Sequence, residues 1–326
     1  MDEQELERLL NRVEPGLRDR FLEIIKAAKD SIDLAILAAL LTEGRYGEAL
    51  ALVEGVGRVL AAETTKVFLL AGEETAAFLT DALEIIVAFD QTNDFAIQVM
   101  QRAKLDLISE FTRQQTEATR AAILEGFRLG LNPRDQAILF RDSIGLTAAQ
   151  QRMVENFRRL LENDPRQALL RELRDGRFDQ TIEAALRRGE PLTRAQVEKM
   201  VARYRENFLA FRAETIARTE ALAAVHGGSF EMFRQAVANG EINPEEMFRT
   251  WHTARDARVR DSHVAMEGQR HPGLEPFTSG LGNRLRFPGD PLAPIEDRIQ
   301  CRCVVTNRLN LLSLASGVAK GAPRAL

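Results

Sequence analysis

The stretch TRAQVEKMVARYRENFLAFRAETIARTEALAAVH, residues 193–226, decides the fold. Thr193 and Gln196 make the S/T-x-x-E/Q pattern in which each side chain bonds the other's backbone N–H and so starts a helix. Val197, Met200, Val201, Tyr204, Phe208 and Phe211 then recur in steps that keep them on one helical face. The spacing predicts a long helix to about Gly227, then a last helix carrying Phe230, Phe233 and Val237 to Gly240.

Upstream of this stretch the chain reads as helix almost throughout. Ala, Leu, Glu and Arg are abundant, strand-type alternation is scarce, and Pro15 is the only proline before Pro133. Helices are predicted over residues 17–42, 47–70, 73–89 and 93–127, with Gly44, Gly72 and Gly130 at their ends and Gly55 and Gly57 kinking the second. Asn132-Pro133, Asp164-Pro165 and Asn243-Pro244 each pair an N-cap residue with proline at the first helical position. Thr147 and Gln150 make another capping box.

Near Pro244 the character changes. Six of the eleven prolines, three of the four histidines, the only Trp and both Cys fall between there and residue 309. Short runs at 247–252, 285–287 and 302–307 read as strands between loops. The expected fold is mainly α: a helical arm or bundle of unknown type over 1–125, a helical region over 126–243, a small α+β, loop-rich module over 244–309, and a flexible tail over 310–326.

Composition narrows the function. The 326 residues carry 44 basic and 48 acidic side chains, a net charge of −4, so nothing draws the whole chain to nucleic acid. Six lysines stand against 38 arginines. Two cysteines cannot staple a secreted fold. The acidic amphipathic start lacks the pattern of a signal peptide, and the most apolar early run, 32–41, is half the length a bilayer needs. A reducing, cytosolic compartment is expected.

The chemistry-bearing residues concentrate in the last module. His252, His263, His271, Cys301 and Cys303 lie within 52 positions. Cys301 and Cys303 are two apart, so on a strand both face one side, and His263 could join them as zinc ligands. The competing reading is a reduced thiol pair packed beside a histidine; a disulfide between them would be strained. His263 with Asp256 or Asp261 could instead act as a general base and its orienter, although no nucleophile elbow or phosphate-cradling loop accompanies them. Residues 246–308 hold ten Arg and eight acids. With Trp251, Phe277 and Phe287 interleaved they could form a nucleic-acid face, or a solvated surface of internal ion pairs. Glu214 and Arg218 stand four apart, the spacing of a helical ion pair.

The ordered set RAETIARTE, then WHTARDARVRDSHVAMEGQ, then RFPGDPLAPIEDRIQCRC resembles the Mu F-like head morphogenesis, or minor capsid, proteins of tailed bacteriophages. The matching positions are Arg218 to Glu220, Trp251, Thr253, Asp256, Arg258, Arg260, His263, Gly268, and Cys301 to Cys303; Gln300 stands where Asn is usual. The upstream stretch from about residue 125 resembles the same proteins, and the first 120 residues resemble nothing recognisable. The resemblance implies a structural, non-enzymatic protein, present in few copies inside the virion near the portal and in the host cytoplasm during assembly, supporting DNA packaging or ejection. Its implied partners are the portal and capsid or scaffold proteins, with contact to phage DNA and none to membrane. Trp251, Asp256, Arg258, Arg260, His263, Gly268, Cys301 and Cys303 are then expected to form the structural core of the C-terminal module. Some relatives carry a Cys-x-x-Cys pair near positions 260 and 263, which with the closing Cys-x-Cys would complete a four-thiolate metal site. Here Arg260 and His263 take those places, leaving at most His263, Cys301 and Cys303 as zinc ligands. The alternatives are a DNA-binding module acting on phage DNA and a hydrolase centred on His263.

Overall fold

The computed structural model describes residues 3–53, 55–84 and 86–310, so the tail expected over 310–326 lies, apart from Asn310, outside the described residues. In chain order the helices are α1 (Glu3–Asp30), α2 (Leu34–Thr42), α3 (Tyr46–Ala51), α4 (Val56–Leu83), α5 (Asp94–Arg128), α6 (Pro133–Ser143), α7 (Ala148–Asn163), α8 (Pro165–Ala168), α9 (Asp179–Arg188) and α10 (Arg194–Ala238). After them come β1 (Met247–His252), α11 (Asp261–Val264), β2 (Arg270–Pro272), β3 (Phe277–Thr278), β4 (Arg284–Leu285), α12 (Ile295–Arg298) and β5 (Val304–Leu309). The fold is mainly α, with the strands confined to the C-terminal region, as the sequence predicts.

Most start signals hold and several stops do not; Asp164 makes no side-chain cap bond before Pro165, and Asn243-Pro244 opens only a 3₁₀ turn. Asn132 accepts from the Asp135 N–H, Thr147 and Gln150 exchange both bonds of a capping box, and so do Thr193 and Gln196. Asp33 caps α2 through the N–H groups of Ala35 and Ile36, dividing the helix expected over 17–42. Pro15 does not precede the first helix but lies inside it, where it forfeits one backbone bond while Leu6 and Leu9 anchor the turns before it. Gly72 and Gly227 end nothing. A Cβ on Gly228 would lie 2.2 Å from the Phe68 carbonyl oxygen and 3.0 Å from the Gly72 nitrogen, and one on Gly72 would meet the Phe89 ring at 2.5 Å. These glycines let α4 and α10 cross with their backbones nearly touching, so both helices run on.

The chain divides into two compact units that do not follow chain order. One comprises residues 19–60 and 107–214. Its centre is Leu146, Val154, Phe157, Leu161, Val201 and Tyr204, contributed by α7, the first half of α10 and the loop before α7. Phe157 and Tyr204 stack at 4.1 Å between centroids. Arg212, 4% exposed, satisfies its guanidinium on the Gly145 carbonyl and Gln114 at 2.8 Å each.

The other unit comprises residues 1–18, 61–106 and 215–326. Small residues of α10 (Ala217, Ala221, Ala224) pack on Phe68 and Ala71 of α4 and on Leu6 and Leu9 of α1. Against this framework sits an antiparallel three-stranded sheet ordered β2-β1-β5, with Trp251 opposite Val305, and a two-stranded ribbon of β3 and β4. The run at 247–252 is the strand expected. Those expected at 285–287 and 302–307 are displaced to β4 and β5, and the short β2 and β3 carry too little periodicity to be read. On β1, Met247, Arg249 and Trp251 face inward while Phe248, Thr250 and His252 face outward. Arg249 lies between the Phe230 and Phe277 rings at 4.9 and 5.2 Å and donates to the Glu275 and Arg286 carbonyls.

Candidate functional site

Strand β1 carries Trp251 into the core, where the indole is fully buried and meets the His263 ring edge-on at 5.6 Å and the Phe277 ring at 5.3 Å. His263 is delivered by α11. Cys301 and Cys303, just before β5, both turn inward, and Arg302 between them turns outward to Asp256, as the two-residue alternation requires. His263 Nδ1 lies 3.5 Å from the Cys301 Sγ and 3.4 Å from the Cys303 Sγ. The opposite ring nitrogen, Nε2, faces Asp297 Oδ1 at 3.3 Å.

Asp297 is fully buried and accepts from Ser262 at 2.9 Å, Ser279 at 3.1 Å and Asn283 at 2.8 Å. Burial pushes its carboxyl up, but these three bonds and His263 outweigh it and hold the group ionised below the usual range. The two free thiols are not equivalent. The Cys303 thiol, hydrogen-bonded to Cys301, draws Cys301 well down against the opposing burial, and His263 adds to this. Cys303 is pushed up by that same bond and by burial. The bond between them drives the two thiols in opposite directions.

The remaining expected residues form the perimeter. Asp256 takes two 2.6 Å bonds from Arg302, and that guanidinium, with the Arg258 N–H, holds its carboxyl well below the ordinary range. Arg258 is exposed and only 3.7 Å from Asp256. Arg260 donates to the Glu296 and Ile299 carbonyls, tying down the loop that leads to Cys301. Gly268, at φ +73°, bonds its N–H to the Trp251 carbonyl at 2.9 Å. Thr253 is fixed by Glu267 through its N–H and hydroxyl. His252 bonds Thr306, and His271 faces Glu275 at 3.7 Å, so neither joins the cluster.

Two expectations are corrected here. Neither Asp256 nor Asp261 orients His263; that position belongs to Asp297, from a Glu-Asp pair whose spacing gives no hint of it. Trp251, Phe277 and Phe287 are at most 2% exposed, so they offer no platform for stacked bases. Arg218 donates to Glu14 of α1, at 3.0 and 3.2 Å.

Thiol, imidazole and carboxylate stand in the order nucleophile, base, orienter, yet none of the four side chains is more than 2% exposed. A substrate carbonyl has no approach to either sulfur. Two thiols and an imidazole are donors suited to zinc, and the ring nitrogen facing away from them has the carboxylate that metal-bound histidines use as an orienter. Arg260 supplies no donor to the cluster.

Residues 169–306 match the family described as Phage Mu protein F like protein. No curated protein and no solved structure matches the chain. The match spans all of α10, with its RAETIARTE string, the buried cluster and its perimeter. Over these residues the chain is similar to the phage Mu protein F-like family.

Proposed function

We propose that this protein is a minor capsid, head morphogenesis protein of a tailed phage or prophage, incorporated in few copies near the portal during procapsid assembly. The observation that carries the reading is the family segment itself, in which several guanidinium groups are held by neighbours within the fold. Arg302 is held by Asp256, Arg255 by Glu267, Arg286 by the buried Asp290, and Arg249 and Arg260 by backbone carbonyls. Arg270 lies over the Phe248 ring at 4.2 Å. Guanidinium groups engaged in this way support a folded contact module over a DNA-reading face, and the buried histidine supports it over a hydrolase. No helix among the described residues is long and apolar enough to cross a membrane. Partners would be the portal and the capsid or scaffold proteins, met through helical surfaces.

Quantitative mass spectrometry of purified procapsids and virions, referenced to the portal protein, tests the proposal. A few copies per particle are expected. Recovery only from the infected-cell cytosol would overturn it. Salt-sensitive DNA binding mapped to arginines of the C-terminal region would favour the DNA-binding alternative.

A further inference from the structure

The His263–Cys301–Cys303 cluster has a geometry that packing alone does not require. A tetrahedral zinc ion with Zn–S near 2.3 Å and Zn–N near 2.0–2.1 Å sets its nitrogen and sulfur ligands about 3.6 Å apart. The two nitrogen–sulfur separations here are 3.5 and 3.4 Å, both from the same ring nitrogen. The three donor atoms all lie within 4.8 Å of one another. Asp297, anchored by three hydrogen bonds of its own, waits on the far side of the ring at 3.3 Å from Nε2. A carboxylate on that side favours the tautomer with Nε2 protonated, in which the Nδ1 lone pair is free for a metal ion. His263 Nε2 makes no well-aligned hydrogen bond, and Asp297 is its nearest partner, by charge contact. Hydrophobic packing of a thiol pair would leave this polar apparatus buried without purpose.

We propose that His263 Nδ1 and the Cys301 and Cys303 thiolates bind one thiophilic divalent cation, zinc in the first instance, with Asp297 as the positioning residue for the histidine. The three protein donors leave the fourth tetrahedral position to a small exogenous ligand. Arg260 is not a ligand: its guanidinium fastens the backbone at residues 296 and 299 and so sets where Cys301 begins. Binding exchanges the thiol protons for the metal and releases them to solvent, with no change of oxidation state. The inference rests on this side-chain geometry alone and stands or falls independently of the capsid role.

The test uses the full chain, stripped with chelator under reducing conditions and checked by circular dichroism for retained helix. Zn²⁺ is titrated with elemental analysis after gel filtration, and Co²⁺ is titrated with absorption spectroscopy. One equivalent of zinc per chain is expected, with a near-ultraviolet thiolate-to-cobalt charge-transfer band and tetrahedral visible bands. Cys301→Ser and Cys303→Ser should each weaken that band. Asp297→Asn keeps every ligand and should weaken zinc affinity on the order of 10–100-fold while the cobalt band shape survives. A folded wild-type chain that retains no zinc and gives no thiolate band would overturn the proposal. So would a His263→Gln variant, folded by circular dichroism, whose cobalt spectrum is unchanged. Asp297→Asn with wild-type affinity would remove the positioning role.

Discussion

Gly228→Ala should destabilise the protein even though it places a better helix former inside a helix. Propensity alone favours alanine over glycine by about 1 kcal/mol in a helix interior. The new Cβ, however, would stand 2.2 Å from the Phe68 carbonyl oxygen, 3.0 Å from the Gly72 nitrogen and 3.1 Å from the Ala71 Cβ. Carbon and oxygen without a bond between them settle at about 3.5 Å, so α4 and α10 must part by roughly 1 Å. The first two obstacles are backbone, which no rotamer change can move aside. Parting the helices loosens Phe68, Ala71, Ala224 and Val225 together, and a gap of that size forfeits about a quarter to a half of each dispersion contact. Overpacking of this kind costs about 1–3 kcal/mol, and a backbone collision belongs at or above the upper end. After the propensity gain, a net loss of about 2 kcal/mol is expected. Gly16→Ala is the matched control. It makes the same change inside α1, in the same unit, with nothing within 4 Å of the new Cβ, and it should stabilise by about 0.5–1 kcal/mol. Urea unfolding followed by far-ultraviolet circular dichroism measures both. A Gly228→Ala midpoint equal to or above wild type would refute the close-crossing account of these glycines.

Further expectations concern buried polar groups. Burial raises Glu220 to about 7 against the pull of Arg298, in a narrow apolar pocket beside Phe68, Val99 and Phe287. The folded state then keeps a proton that the unfolded chain releases, so stability falls as pH rises from about 4.5 to 7, by about 2 kcal/mol given the solvent this side chain still meets; Glu220→Gln should flatten that slope, and an unchanged slope in urea midpoints would count against it. Arg249, pushed down to about 9 by burial, should cost about 3–5 kcal/mol as Arg249→Ala, with Arg249→Met recovering most of the loss because it refills the space between Phe230 and Phe277 without a buried charge. Equal losses for the two variants in thermal unfolding would show that charge, not volume, decides. Gln300→Ala should cost about 1–2 kcal/mol and Gln300→Asn less than about 1, read in the same assay, since Asn tolerates the left-handed backbone at φ +51° but is too short to reach Thr215.

Where the chemistry is local, the sequence is legible. The capping boxes at Thr147 and Thr193 and the strand at Met247–His252 require only neighbours along the chain, and they are where the residues place them. Glycine is ambiguous for a physical reason. It can close a helix through a positive φ, as Gly44, Gly130 and Gly240 do, or admit another backbone, as Gly72 and Gly228 do, and only the partner helix tells the two apart. The same limit applies at the candidate site. Cys301 and Cys303 advertise themselves by type and spacing, and His263 by rarity. Asp297 looks like one more surface acid, because its meaning comes from Ser262, Ser279 and Asn283, three short polar residues that carry no pattern of their own. Pro15 and Asp33 show the remaining source of error: a proline inside a helix already anchored by buried leucines is tolerated, and a single well-placed aspartate breaks one that composition would continue.

The family's motif strings are far apart in sequence, and the structure supplies a physical reason for their joint appearance. Gln300, immediately before Cys301, adopts a left-handed backbone that an ordinary side chain resists. Its N–H donates to the Thr219 hydroxyl at 3.1 Å and its side-chain amide to the Thr215 hydroxyl at 2.8 Å, both within RAETIARTE on α10. The Thr219 hydroxyl in turn donates to the Thr215 carbonyl, so the helix itself orients the acceptor. Arg260 grips the carbonyls of residues 296 and 299 from the other side, and Gly268 closes the turn that returns to Trp251. The left-handed turn at Gln300 is thus held from the helix and from the loop at once, which is what sets Cys301 and Cys303 in register with His263. Removing either hold would let the turn relax and carry the sulfurs away from the imidazole. The helical string and the cysteine string therefore work as one device: the first fixes the backbone on which the second presents its thiols.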